Sequence, residues 1–198
     1  MKPRDTRRPW SVRALIVVPF ALTAAAAVMT LGPYAQLAEI SAPSGGVLDE
    51  APRSSAAAVS EHLIAIGEPG LALYREHAVW DVPFLIANAA LIFVLIGFGL
   101  SRTRFPRALI RSALALPVLA AIGDVAENAL VLGLVGGSTD TLSQSTVTTL
   151  AVATTLKMTA FSLGGLIAFA STGIAIVRSL RGRRHAAANR TTRRAVAA

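Results

Sequence analysis

Four apolar runs divide this chain, and their lengths constrain its fold more than any other feature. Ala14–Leu31 holds 18 residues without a charge and is closed by Gly32-Pro33. Val82–Leu100 holds 19, with Pro83 in its first turn and Asn88 as its only amide. Leu109–Val135 is interrupted by Arg111 near its start and then by Asp124, Glu127 and Asn128. Val147–Val177 holds 31 residues, with Lys157 its only charge. A helix crosses a bilayer with roughly 20 apolar residues rising 1.5 Å each. The expected fold is all-α: an integral-membrane antiparallel four-helix bundle whose last span tilts or extends into the interface.

Charge placement orients that bundle. The arm 1–13 has five Lys and Arg, segment 32–81 has two, loop 101–111 has four, 136–146 has none and 178–198 has seven. Sixteen basic residues therefore fall on one side and two on the other. Positive-inside bias puts both termini in the cytoplasm. The chain then divides into a basic cytoplasmic arm (1–13), a four-span membrane domain (14–178) and a basic cytoplasmic tail (179–198). A net charge of +8 suggests nucleic acid in a soluble protein. Here the bases flank apolar runs and only 15% of residues are charged, so the expected partner is the lipid bilayer and not nucleic acid. The Arg-rich start also describes a signal peptide, but Gln36-Leu37-Ala38 is a poor cleavage site, and an uncleaved anchor is the adopted reading.

The segment 32–81 is the one sizeable region expected outside the membrane. Ser41-Ala-Pro-Ser-Gly-Gly and Ala51-Pro52 have turn and linker chemistry. Ala56, Val59, Leu63 and Ile66 recur at helical spacing after Ser55, a candidate N-cap, and Gly67 reads as the helix stop. That predicts an amphipathic helix on the outer surface or packed over the bundle. Gly67-Glu-Pro-Gly70 reads as a turn, and Leu71–Trp80 as an outward extension of span two. Tyr74 and Trp80 suit an aromatic belt at headgroup level, and His62 and His77 read as surface or interfacial. The tail reads as a stop-transfer signal with a disordered end.

The chemistry lies in the polar residues inside the runs. Asp124, Glu127 and Asn128 stand at i, i+3 and i+4, on one helix face. Asp124 lies eleven residues, about 16 Å, from Val135, and Lys157 ten residues, about 15 Å, from Val147. Equal depths on antiparallel neighbours place Lys157 opposite the acids. Lys157, Ala160, Gly164, Ala168 and Thr172 form one stripe whose small residues allow close approach, so Lys157 faces the bundle. Asn88 follows Asp81 by two turns on one face of span two. A polar ladder of Asp81, Asn88, Asp124, Glu127 and Lys157, with Asn128 beside it, is the expected ligand-binding site. Two carboxyls against one ammonium leave a negative charge in excess, and desolvation favours a held proton there over a bare charge.

Other signals are absent or structural. The chain has no cysteine, which removes disulfides and thiolate metal sites, and no phosphate-loop, hydrolase or zinc-protease motif occurs. Neither a metal nor a cofactor is expected. Gly97-Phe98-Gly99 reads as helix packing. The set Tyr74…Asp81-Val82-Pro83, Asp124-Val-Ala-Glu127-Asn128 and Lys157 resembles small four-span bacterial integral membrane proteins of unassigned function, over about residues 70–165. Val82 stands where that pattern carries an aromatic residue. The resemblance implies a multi-pass protein of the bacterial cytoplasmic membrane and treats the polar set as one unit. The readings that fit these residues are binding of a small polar or lipid ligand or an accessory role with a membrane partner; catalysis on lipid or isoprenoid substrates through carboxyl proton transfer; and purely structural pairing of helices by their charges.

Overall fold

The computed structural model describes residues 12–48, 50, 53–102, 105–137 and 142–196, and their side chains between 17 and 181 except at 30. The arm before residue 12, positions 51–52 of the linker and the turn at 138–141 lie outside the described residues. All regular structure among those described is helical. The elements are α1 (Val12–Leu31), α2 (Pro33–Ser41), a 3-10 turn (Ala42–Ser44), α3 (Ala56–Leu100), α4 (Arg107–Gly136) and α5 (Gln144–Val196).

Helices α3, α4 and the 144–181 part of α5 are each long and apolar enough to cross a membrane. A fourth crossing is available if α1 and α2, bent by 48°, count as one. The outward faces are apolar as well: Ile122 and Val125 of α4, and Val152, Leu166 and Phe169 of α5, are all more than half exposed. Such a surface suits hydrocarbon, where a helix meets its own backbone polar groups internally.

The breaks follow from local chemistry. Pro33 has no N–H to continue α1 and instead opens α2 at its first turn. Gly67 adopts φ 58° and ψ −171°, a region open essentially to glycine alone. Helix resumes at once, with Pro69 in its new first turn. The amphipathic helix therefore does end at Gly67, as expected, α3 being two helices joined across this kink, and Pro83 lies well inside the second of them. Ser55 caps α3 by accepting the Ala58 N–H at 3.2 Å. At the other end of the chain, α5 continues to Val196. The tail was expected to be irregular, but alanine and arginine both favour helix.

Helices α3, α4 and α5 pack mutually, whereas α1 rests chiefly on α3 and α2. This arrangement departs from a symmetric four-helix bundle. Within α1 the Thr23 hydroxyl bonds the Pro19 carbonyl of its own helix at 2.9 Å. Close approach of α3 and α5 depends on small residues. A Cβ on Gly99 would stand 2.6 Å from the Ser171 Cβ, and one on Gly164 would stand 3.3 Å from Ile92 Cγ2. Thr172 adds a hydrogen bond to the Leu95 carbonyl at 3.2 Å.

Two apolar clusters result. One gathers Leu37, Leu48, Val59, Leu63 and Ile66 with Val131, Leu134, Val147 and Leu150, so the amphipathic start of α3 packs over the bundle end. The other joins Ile92, Ile96 and Leu100 to Ala113 and Ala168. Over the first cluster, the loop between α2 and α3 is tied down by a buried network. His62 Nε2 lies 3.0 Å from the Tyr74 hydroxyl, which accepts the Leu48 N–H at 2.8 Å. Arg53 donates to the carbonyls of Ser44 (2.7 Å) and Gly46 (3.0 Å) and approaches His62 Nδ1 at 3.1 Å. Gln144 clamps the start of α5 to that of α3, accepting the Ala56 N–H and donating to the Ser54 carbonyl, each at 2.9 Å. Tyr74 is therefore a core residue and not part of an aromatic belt. Both His62 and His77 are buried, contrary to the surface positions expected of them.

Candidate functional site

The charges sit between the two apolar clusters, where α4 meets α5. Gly123 makes that meeting close, since a Cβ there would lie 3.4 Å from the Lys157 backbone nitrogen. The Lys157 ammonium donates to Asp124 Oδ1 at 3.0 Å and also to Glu127 Oε2. Glu127 accepts in addition from the Thr154 hydroxyl, which itself bonds the Leu150 carbonyl at 3.0 Å. Asp124, Glu127 and Lys157 are all buried, Glu127 completely. A carboxylate in such surroundings is tolerable only when paired and hydrogen-bonded, and Glu127 has both an ammonium and a hydroxyl.

A second polar pair joins α3 to α4. The Asn128 amide donates to Asp81 Oδ2 at 2.7 Å. Together the contacts run from Asp81 through Asn128 on α4, and from Asp124 and Glu127 on α4 to Lys157, tying three helices with polar groups at one level.

These groups border a cavity of about 820 Å³, within the 300–1,000 Å³ usual for small-molecule pockets. Asp81, Asn88, Asp124 and Lys157 line it, joined by His77 and, at the loop end, by Tyr34 and Glu50. The Tyr34 hydroxyl donates to Glu50. Beyond Lys157 the lining of α5 turns apolar, through Phe161, Leu166 and Phe169, with Met29 contributed by α1, while Phe84 stands between Asp81 and Asn88 on α3. From Lys157 to Phe169 is twelve residues of α5, roughly 18 Å. The cavity is therefore an elongated cleft, polar at one end and apolar along the rest, with α1 as one wall. Leu166 and Phe169 of this lining are more than half exposed, so the cleft is open along α5.

The structure divides the set expected from sequence. Asp81, Asn88, Asp124 and Lys157 reach the cleft; Glu127 and Asn128 do not, and act on Lys157 and Asp81 from behind. Sequence reasoning missed Thr154, although it stands one turn from Lys157 on the same helix face. It also missed Tyr34 and Glu50, which carry no periodic signal and reach the cleft through the chain path of α2 and its following loop. Among the described residues no group of three or more His, Asp or Glu is placed to hold a metal ion. No protein-family model, curated protein or solved structure matches this chain, so the site stands on its own geometry.

Proposed function

We propose that this chain is a four-span protein of the bacterial cytoplasmic membrane, with both termini cytoplasmic, that binds an amphiphilic ligand in the cleft beside α5. One observation carries the reading: one elongated cavity has buried charged groups and a half-buried amide at one end and phenylalanine and leucine side chains along the rest. A ligand with a polar head and an apolar body matches both halves, and entry along the open side of α5 would not require unfolding of the helix core. Glu127 and Thr154 serve as support, holding the Lys157 ammonium where it borders the cleft.

The test is native mass spectrometry of protein extracted in a mild detergent. Gly165 lines the cleft and has open space where a Cβ would be, so Gly165→Phe starts its side chain from an uncrowded position and fills part of the cavity. The wild type is expected to retain a defined small molecule or lipid that Gly165→Phe loses at unchanged melting temperature. If the wild type carries nothing specific, or the filled variant retains the same mass, the cleft is not the binding site.

A further inference from the structure

The polar end of the cleft has a charge imbalance that selects among amphiphiles. Three carboxyl groups line it, those of the buried Asp81 and Asp124 and of the exposed Glu50. Against them stands one ammonium, Lys157, and it is already shared between Asp124 and Glu127. The contacts of the other two acids are with neutral donors: Asp81 accepts the Asn128 amide, and Glu50 accepts the Tyr34 hydroxyl. Such donors solvate a carboxylate without cancelling its charge. An anionic headgroup here would have to draw Lys157 away from two carboxylates and lie beside the remaining acids. Burying like charges together is costly, and breaking a buried ion pair strands a charge. A cation meets neither obstacle.

The apolar part of the lining favours the same ligand. Rings of Tyr34, Phe84 and Phe161 border the cavity alongside the acids, and aromatic faces attract cations in addition to burying apolar surface. From this charge balance, and resting on the reading of the cleft as a ligand site, we infer that its ligand is a hydrophobic organic cation: an ammonium, quaternary ammonium or similar centre on an apolar body. Asp81 is the residue that selects for charge. It borders the cavity, it is buried, and Asn128 fixes its orientation.

The experiment uses the full chain in nanodiscs of zwitterionic lipid. Saturable binding of radiolabelled tetraphenylphosphonium is compared with that of uncharged triphenylphosphine oxide, for wild type, Asp81→Asn and Gly165→Phe. Asparagine at 81 keeps an oxygen for the Asn128 amide and removes only the charge. The cation is expected to bind saturably, to lose about tenfold or more in affinity in Asp81→Asn, as for the loss of a charged partner, and to be abolished by Gly165→Phe. The neutral oxide is expected to bind more weakly and to be indifferent to Asp81→Asn. Equal binding of both probes, blocked by Gly165→Phe but insensitive to Asp81→Asn, overturns the cation inference and leaves the ligand cleft standing. If neither probe binds saturably and no native ligand is found, the cleft reading falls with it.

Discussion

At the scale of single residues, Lys157 illustrates how a buried charge depends on its partners. Its ammonium bridges Asp124 and Glu127, so Lys157→Met leaves two carboxyls facing each other in an apolar layer. The expected cost is about 3–5 kcal/mol, the usual penalty for orphaning a buried pair. Adding Asp124→Asn and Glu127→Gln should restore most of that, as read by melting temperature in detergent; a triple variant no more stable than the single one would contradict the pairing. His62 supports a second prediction, in the amphipathic start of α3 ahead of the Gly67 kink and outside the apolar runs. Burial, aided by the Arg53 guanidinium, pushes its pKa down to about 4 from the ordinary 6.5. The Ser44 hydroxyl and the Arg53 guanidinium both approach Nδ1, at 2.7 and 3.1 Å, and Nε2 faces the Tyr74 hydroxyl. The unfolded chain binds a proton first as pH falls, so the stabilisation is complete above pH 6.5 and drains away between 6.5 and about 4. Melting temperature should fall more steeply across that window in wild type than in His62→Gln; parallel curves would refute it. The charge cluster was legible from sequence because ionisable residues stand out in apolar runs and helical spacing says which share a face. The partnership of His62 with Tyr74 was not, since amphipathic side chains suit an interface and a core equally until a loop covers them.

At the scale of helices, glycine decides how closely the elements meet. Gly99 has the Ser171 Cβ 2.6 Å from where its own Cβ would be, whereas Gly165 has nothing within 4 Å. Gly99→Ala should therefore force α3 from α5 and destabilise by about 1–3 kcal/mol, the range for overpacking. Gly165→Ala should be neutral or gain up to about 1 kcal/mol from helix propensity. Thermal unfolding of the two variants side by side checks the pair, and equal effects would show that the helices do not meet at Gly99. Sequence marked Gly67 as a helix stop, and the backbone breaks there for a specific reason. One residue at φ 58° bends the chain, and Glu68-Pro69 immediately supplies a new helical first turn. A stop signal and a kink signal share the same residue, and the residues after it decide between them.

At the scale of the whole molecule, orientation is open to a direct test because the chain has no cysteine of its own. Single cysteines at Ser54, Ser101, Ser143 and Ser11 can be probed in intact cells with a membrane-impermeant maleimide. Ser54→Cys and Ser143→Cys should react from outside, as the Gln144 clamp places their helix ends together. Ser101→Cys and Ser11→Cys should react only after permeabilisation. Reaction of Ser11→Cys together with Ser54→Cys would mean that α1 does not cross, leaving three spans; reaction of Ser101→Cys from outside would invert the topology.

Hydropathy and charge are properties of short stretches, so the helical class, the apolar runs and the opposition of Lys157 to Asp124 and Glu127 could be derived from residue order and a rise of 1.5 Å per residue. Helix rotation and lateral position are different in kind, because they depend on which side chains fit against a neighbour. Only packing seated α1 against α3 and away from α5, turned Asp81 and Asn88 toward the gap this leaves, and withdrew Glu127 behind Lys157. The cleft lies where α1, seated chiefly on α3, leaves a gap beside α5. No local pattern in the chain encodes such a gap, and it became visible only when the helices were placed together.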